Sequence, residues 1–153
     1  MMTVFTGDFD VKLDAKGRFL FPSSLLQQME ESNGAAFVVK KDIYEPCLTV
    51  YTTQEWQRQV ETIRKNLNPF NREHNIFLRE FFKDTAECAL DSSNRMVIPK
   101  RLVQAVNLKS DICVIGLDTK IEIWDKEQYE KSHPSSENFA ELAEKILGNL
   151  GNL

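Results

Sequence analysis

With 153 residues, 17.7 kDa and 42% hydrophobic residues, the chain can fill one good core or two small lobes. No stretch approaches the roughly 20 apolar residues of a membrane span, and no basic segment followed by an apolar run predicts a secretory signal. Nineteen basic against 23 acidic residues leave a net charge of −4, so a nucleic-acid partner would have to be met by local charge.

In chain order, Phe9, Val11 and Leu13 alternate as in a half-buried strand, and Phe19 to Phe21 form a more apolar strand stopped by Pro22. Leu25, Leu26 and Met29 sit at helical spacing, with Pro22 and Ser23 at the start and Asn33-Gly34 as the break. Strands over Ala36–Val39 and Leu48–Tyr51 follow, joined by a turn around Glu45-Pro46. Thr52 and Glu55 read as a capping box opening a helix with Trp56, Val60, Ile63 and Leu67 on one face, ended by Asn68-Pro69. A second helix over 71–83 has Phe70, Phe77, Leu78, Phe81 and Phe82 on its apolar side, and helical spacing assigns that stripe to core. Strands near 86–90, 95–98, 112–116 and 120–124, with a short helix near 100–106, repeat the first half. A polar linker over 132–136 leads to an amphipathic helix bearing Phe139, Leu142, Ala143, Ile146 and Leu147.

The repetition is a duplication. Leu13-Asp14-Ala15-Lys16-Gly17-Arg18-Phe19-Leu20-Phe21-Pro22 returns as Leu90-Asp91-Ser92-Ser93-Asn94-Arg95-Met96-Val97-Ile98-Pro99, from Asp14 to Asp91. Gly17 and Asn94 are the residue types that most readily take positive φ, and Asp14 and Asp91 can each accept backbone N–H bonds two or three residues ahead. Each copy therefore predicts strand, tight turn, strand, with an arginine just beyond the turn. Further matches pair Phe37-Val38-Val39 with Cys113-Val114-Ile115, and Leu48-Thr49-Val50-Tyr51 with Ile121-Glu122-Ile123-Trp124. Loops that shorten while strands persist are how a duplicated module drifts.

These residues resemble the bacterial MraZ family. The resemblance rests on two copies of Asp-x-x-[Gly/Asn]-Arg followed by three apolar residues and Pro, on Val4-Phe5-Thr6-Gly7, on Phe81-Phe82, and on Ile123-Trp124-Asp125; it covers about residues 5 to 130. It implies an α+β fold in which two tandem swapped-hairpin AbrB-like (SpoVT-AbrB) modules interlock in a barrel-like unit with linking helices. The expected organisation is a first module over 7–55, linking helices over 56–83, a second module over 84–127, and a C-terminal linker and helix over 128–153. It further implies a sequence-specific, DNA-binding transcriptional regulator. Such a protein would bind direct repeats upstream of the division and cell-wall gene cluster as a ring-shaped homo-oligomer, in the cytoplasm and at the nucleoid.

Candidate residues follow from turn chemistry and charge. Asp14, Gly17, Asp91 and Asn94 are assigned to turn structure, because a carboxylate repels phosphate and is better used closing the loop. Arg18 and Arg95 can brace the loop through that aspartate, present a guanidinium to phosphates or guanine edges, or do both. Lys12 and Lys16 beside the first turn, and Lys100 and Arg101 near the second, complete the expected DNA-binding set. A strand–turn–strand ribbon is narrow enough for a DNA groove. Few charges per chain mean few phosphates neutralised, so the DNA reading demands an oligomer. Leu25-Leu26-Gln27-Gln28 carries none of the basic residues that similar chains often have there.

No P-loop, GxGxxG or paired metal-ligand motif occurs, and His74 and His133 stand alone, so neither a catalytic residue, nor a cofactor, nor a metal is expected. Cys47, Cys88 and Cys113 lie far apart in apolar surroundings and read as buried free thiols. The alternatives are an AbrB-like antitoxin, whose C-terminal segment would cover a toxin, or a structural ring protein without affinity for DNA.

Overall fold

The computed structural model describes residues 3–29 and 36–148. Its elements run β1 (Phe5–Lys12), β2 (Arg18–Leu20), α1 (Ser23–Gln27), β3 (Ala36–Lys41), β4 (Leu48–Thr52), α2 (Thr53–Asn66), α3 (Arg72–Phe82), β5 (Thr85–Ala89), β6 (Arg95–Val97), α4 (Lys100–Ala105), β7 (Asp111–Asp118), β8 (Lys120–Asp125), α5 (Lys126–Lys131) and α6 (Ser136–Leu147). The expected Asn33-Gly34 break falls outside the described residues.

Six strands form an antiparallel sheet in the order β1-β7-β8-β4-β3-β5, and β2 pairs with β6 in a separate two-stranded ribbon. The order reads the same from either end once β1 is exchanged for β5, β7 for β3 and β8 for β4. The two halves of the chain are thus related by an approximate two-fold axis passing between β4 and β8 and between β2 and β6. Among the described residues the named strands that pair within a module are β3 with β4 and β7 with β8, beside one isolated bridge between Leu90 and Met96. The first strand of each module pairs with the hairpin of the other: Val11 lies opposite Ile112, and Cys88 opposite Phe37. No strand ladder closes a barrel among the described residues.

This symmetry corrects one alignment. The hairpin registers Val39↔Val50 and Val114↔Ile123, with Leu48 standing where Ile121 stands, equate Val39 with Val114 and Phe37 with Ile112. The expected match of Phe37 to Cys113 is one residue off. A slip of one residue reverses every side chain in a strand. Here Phe37, Val39, Ile112 and Val114 all enter the main core, whereas Cys113 faces a second cluster with Cys47, Ile115 and Trp124. Both strands are apolar on both faces, so the sequence offers no alternation from which to set the register.

The main core lies between the sheet and the β2–β6 ribbon. Phe19, Phe21, Met96 and Ile98 from the ribbon and Leu25 and Leu102 from α1 and α4 are buried against Phe37, Val50, Val114 and Ile123. Each such side chain contributes about 1.5–3 kcal/mol on leaving water. On the other face the modules repeat one device. Tyr51 packs against Trp56 at 5.7 Å between ring centroids, and Trp124 against Tyr129 at 5.6 Å, so α2 and α5 dock on the sheet through equivalent aromatic pairs.

The capping box forms by half. Thr52 Oγ1 accepts from Glu55 N at 3.1 Å, but the Glu55 carboxylate turns to Arg58 and Gln59 rather than back to the helix start. The aromatic stripe of α3 also divides. Phe81 is buried, stacks on Trp56 at 5.7 Å and receives the buried Lys40 ammonium over its ring. Phe70 is 95% exposed, because it precedes the Asn71 cap and follows Pro69, outside the helical face that the spacing assumed.

A candidate nucleic-acid interface

Both turns close by the same bonds. Asp14 Oδ1 accepts from Lys16 N and Arg18 N, each at 2.9 Å, and Asp14 Oδ2 accepts from Arg18 Nε at 2.8 Å. Asp91 does likewise with Ser93 N at 2.8 Å, Arg95 N at 2.9 Å and Arg95 Nε at 3.1 Å. These bonds favour the ionised carboxylate. The backbone N–H of Arg18, then its side chain, holds Asp14 below its ordinary value, and the backbone N–H of Arg95 leads the same effect on Asp91. Gly17 and Asn94 supply the positive φ, at 81° and 60°.

A carboxylate held low stabilises the fold above its unfolded value near 3.8, and that contribution disappears as pH falls through the lowered native value. Asp14→Ala is therefore expected to lower the melting temperature at pH 7, and the gap from the parent should close as the melts are taken below pH 3.8. A gap that stays constant with pH would assign the loss to packing instead.

The ribbon decides where the arginines go. Arg18 lies opposite Val97, Phe19 opposite Met96 and Leu20 opposite Arg95. Side chains alternate along a strand, and Phe19 and Met96 are buried beneath the ribbon. Arg18, Leu20, Arg95 and Val97 consequently share the opposite, outward face. From strand rise and spacing, the two arginine Cα atoms stand on the order of 8 Å apart on a diagonal of this ribbon. Each Nε is held by its aspartate, among the described residues the Nη groups make no hydrogen bond within the chain, and the two side chains are half-buried. Bracing and presentation coexist: the aspartate fixes the guanidinium plane and leaves its outer edge free.

Leu20 and Val97, 60% and 48% exposed between the arginines, are members of this face that residue-type reasoning missed. The signal was present, since each lies two positions from an arginine on its own strand, and residues two apart share a face.

The antiparallel pairing also moves a charge. The C-terminal end of β6 runs beside the first turn, with Ile98 N donating to Gly17 O at 2.7 Å, and Phe21 N donates to Asn94 O at 2.9 Å at the mirrored position. Lys100 therefore lines a cleft with Leu13–Gly17 of the first module, not with the second turn near which the sequence lists it. Arg101 is engaged by Thr85 O at 2.7 Å, and Lys12 forms an ion pair with Asp111 across β1 and β7. The first turn thus gathers Lys16, Arg18 and Lys100, whereas the second has Arg95 beside Ser93.

Other reactive groups serve the fold. His74 Nδ1 accepts from Asn68 N at 2.8 Å, and His133 packs edge-on against Tyr129. The three cysteines are free and buried, and burial first of all pushes Cys88 up to about 11 and Cys113 to about 12. Asp42, Cys47 and Glu122 bring three potential metal donors within 4.8 Å. Their bonds are already internal: Asp42 accepts from Tyr44 N, Glu45 N and Thr49 Oγ1, Glu122 accepts from Trp124 Nε1, and burial, then Glu122 and Asp42, raise the Cys47 thiol. No helix among the described residues is long and apolar enough to cross a membrane.

Comparison with known proteins agrees with the duplication. The family model described as "MraZ protein, putative antitoxin-like" matches twice, over residues 4–80 and 81–150. Among curated relatives, a Bacteroides thetaiotaomicron protein named "Transcriptional regulator MraZ" is 36% identical over 146 residues, covering 95% of this chain and 94% of its own. Proteins of the same name from Flavobacterium psychrophilum, 35% identical over 97% of this chain and 95% of theirs, and from Pediococcus pentosaceus, 34% identical over 94% and 97%, are similar along their whole lengths. Two repeats matched end to end, on a fold whose own halves are related by a two-fold axis, place the chain in the MraZ family.

Proposed function

We propose that the chain is a sequence-specific DNA-binding transcriptional regulator that inserts the β2–β6 ribbon into a groove of double-stranded DNA. The observation that carries this reading is the common outward face of Arg18 and Arg95. The family, and the regulator name its relatives carry, support it. Arg18 and Arg95 approach phosphates or guanine edges; Lys16 and Lys100 add phosphate contacts at the first turn, and Lys12 and Arg101 add weaker ones because each already has an internal partner. The exchanged strand pairing supports a swapped-hairpin, SpoVT-AbrB-like unit built from modules at 7–55 and 84–127, with 56–83 linking them and 128–153 appended. Direct repeats upstream of the division and cell-wall gene cluster are the proposed target, and the cytoplasm, at the nucleoid, the proposed location.

One ribbon with a few cations neutralises few phosphates, so useful affinity requires several ribbons on one assembly. The outward face of α6 supports a homo-oligomer, in our reading a ring. Phe139, Leu142 and Ile146 lie along one side of this helix and are 60%, 47% and 63% exposed. An isolated helix of about 12 residues is marginal in water, so this one gains from covering that stripe against another copy. Leu142→Asp with Ile146→Asp is expected to reduce the assembly to smaller species by sedimentation, with subunit affinity down about a hundredfold or more. An unchanged sedimentation profile would remove α6 from the interface. Loss of a co-purifying protein with DNA binding intact, after deletion of residues 132–153, would favour the antitoxin reading instead.

The direct test is a salt-titrated mobility shift on a fragment from upstream of the protein's own gene containing repeated short boxes. Specific retardation that weakens steeply with salt is expected. Equal retardation of a fragment lacking the boxes would refute sequence-specific recognition.

A further inference from the structure

The approximate two-fold axis turns the molecule into its own control. Beside the first turn lies a cleft of about 590 Å³, within the size range of small-molecule sites. Leu13, Ile98, Val103 and Leu108 supply its apolar walls, and Lys16, Lys100 and Lys109 its cationic rim. The axis carries these positions onto Leu90 for Leu13, Phe21 for Ile98 and Leu26 for Val103 beside the second turn. These three positions stay apolar there, but Ser93 stands where Lys16 stands and Ser23 where Lys100 stands, while the counterparts of Leu108 and Lys109 fall outside the described residues. Lysines needed only to track a duplex read alike by Arg18 and Arg95 would be required on both sides.

We propose that this cleft binds a phosphate monoester carried on an apolar body, and that its occupancy competes with DNA for the first turn. The charge count selects the ligand. Lys109 is already shared with Asp125 and Glu127, each at 3.8 Å, and Asp14 is bound to Arg18. Lys16 and Lys100 form no ion pair among the described residues, leaving two ammonium groups unmatched at the rim. A phosphate monoester at pH 7 carries about −1.5 to −2 charges and accepts several hydrogen bonds, matching both lysines, whereas a carboxylate would match one. The apolar walls between the turn and α4 accept the body. The competition follows from Lys16 and Lys100, which belong to both sites, so this inference rests on the proposed DNA function.

The full-length protein is titrated calorimetrically with octyl phosphate below its micelle concentration, and with inorganic phosphate and octanol as single-feature probes. Saturable binding of octyl phosphate, at least about tenfold tighter than either probe, is expected. Val103→Phe, which fills the cleft, and Gln104→Glu, which adds a negative charge at its edge, should each weaken it by about tenfold, and Val103→Phe, which leaves the lysines' charge unaltered, should retain the parent's DNA affinity when no ester is present. Two variants at separate positions, each checked by its thermal melt, guard against one that fails to fold. Octyl phosphate should also release a pre-formed DNA complex of the parent and not that of Val103→Phe. Sedimentation with phosphatidylcholine vesicles containing phosphatidic acid distinguishes the sources: binding to the soluble ester alone assigns the cleft to a soluble molecule, and binding to vesicles assigns it to a lipid headgroup. Absence of saturable octyl phosphate binding, with Lys100→Gln still weakening DNA binding, would overturn the proposal and assign the rim to an asymmetric phosphate contact. Absence of DNA retardation without any ester would overturn the DNA reading, while ester binding would still stand or fall on its own titration.

Discussion

Gly17→Ala is expected to destabilise the fold by about 2–4 kcal/mol, lowering the melting temperature by about 10 °C. Two penalties combine. At φ 81° an L side chain is strained, and a Cβ built on Gly17 would stand 2.6 Å from the Ile98 carbonyl oxygen. That oxygen belongs to backbone, and Ile98 N is itself bonded to Gly17 O, so neither side can withdraw without opening the junction between modules. The two penalties separate experimentally. Gly17→Asn relieves the first, since asparagine tolerates the left-handed region, and retains the second. It should be nearly as damaging as Gly17→Ala in thermal melts. Asn94→Gly, at the equivalent place with φ 60°, should lie within about 1 kcal/mol of the parent. A Gly17→Asn variant as stable as the parent would mean that the close approach to Ile98 is not maintained in solution.

What the sequence disclosed and what it hid divide along the range of the interactions. The Asp14 and Asp91 turns were legible because every bond in them lies within four residues, and residue type alone sets which backbone can take positive φ. The helices other than α5, for which no expectation was drawn from the sequence, were legible from periodicity and local caps, down to Thr52 on Glu55 N. Of the candidate site, the two turn-bounding arginines could be named from the sequence but not their placement on one face. That Arg18 and Arg95 share one face depends on the β2–β6 register, a contact across 77 positions that no local pattern encodes. Lys100 shows the same limit. Its sequence neighbours are Ile98 and Pro99 of the second module, yet antiparallel pairing sets it beside the first turn. Phe37 and Ile112 could not be equated while both strands read as unbroken apolar runs. Phe70 failed for a different reason: it has the right residue type for the stripe and stands one residue before the cap.

Arg18→Ala together with Arg95→Ala is expected to reduce affinity for the proposed upstream repeats by about a hundredfold or more. Both guanidiniums are braced by a carboxylate before DNA arrives, at 2.8 and 3.1 Å from Nε, so little side-chain freedom remains to be lost on binding. Lys126→Ala serves as the comparison. It too removes a cation, but one that lies 3.5 Å from Asp10 and has no place on the ribbon, and it should change affinity by less than about threefold. The single variants assign roles. If Arg18 meets phosphate, Arg18→Ala lowers the slope of log affinity against log salt by about one and weakens all sequences alike. If it meets a guanine edge, the slope holds and discrimination at one base position relaxes. Arg18→Lys separates charge from shape, because an ammonium restores attraction but cannot reproduce the two-pronged bond or keep the Nε contact to Asp14. Retention of most affinity in Arg18→Lys, with its loss in Arg18→Ala, would identify a point-charge contact. An unchanged affinity in the double alanine variant would remove the ribbon from the interface and with it the proposed mode of binding.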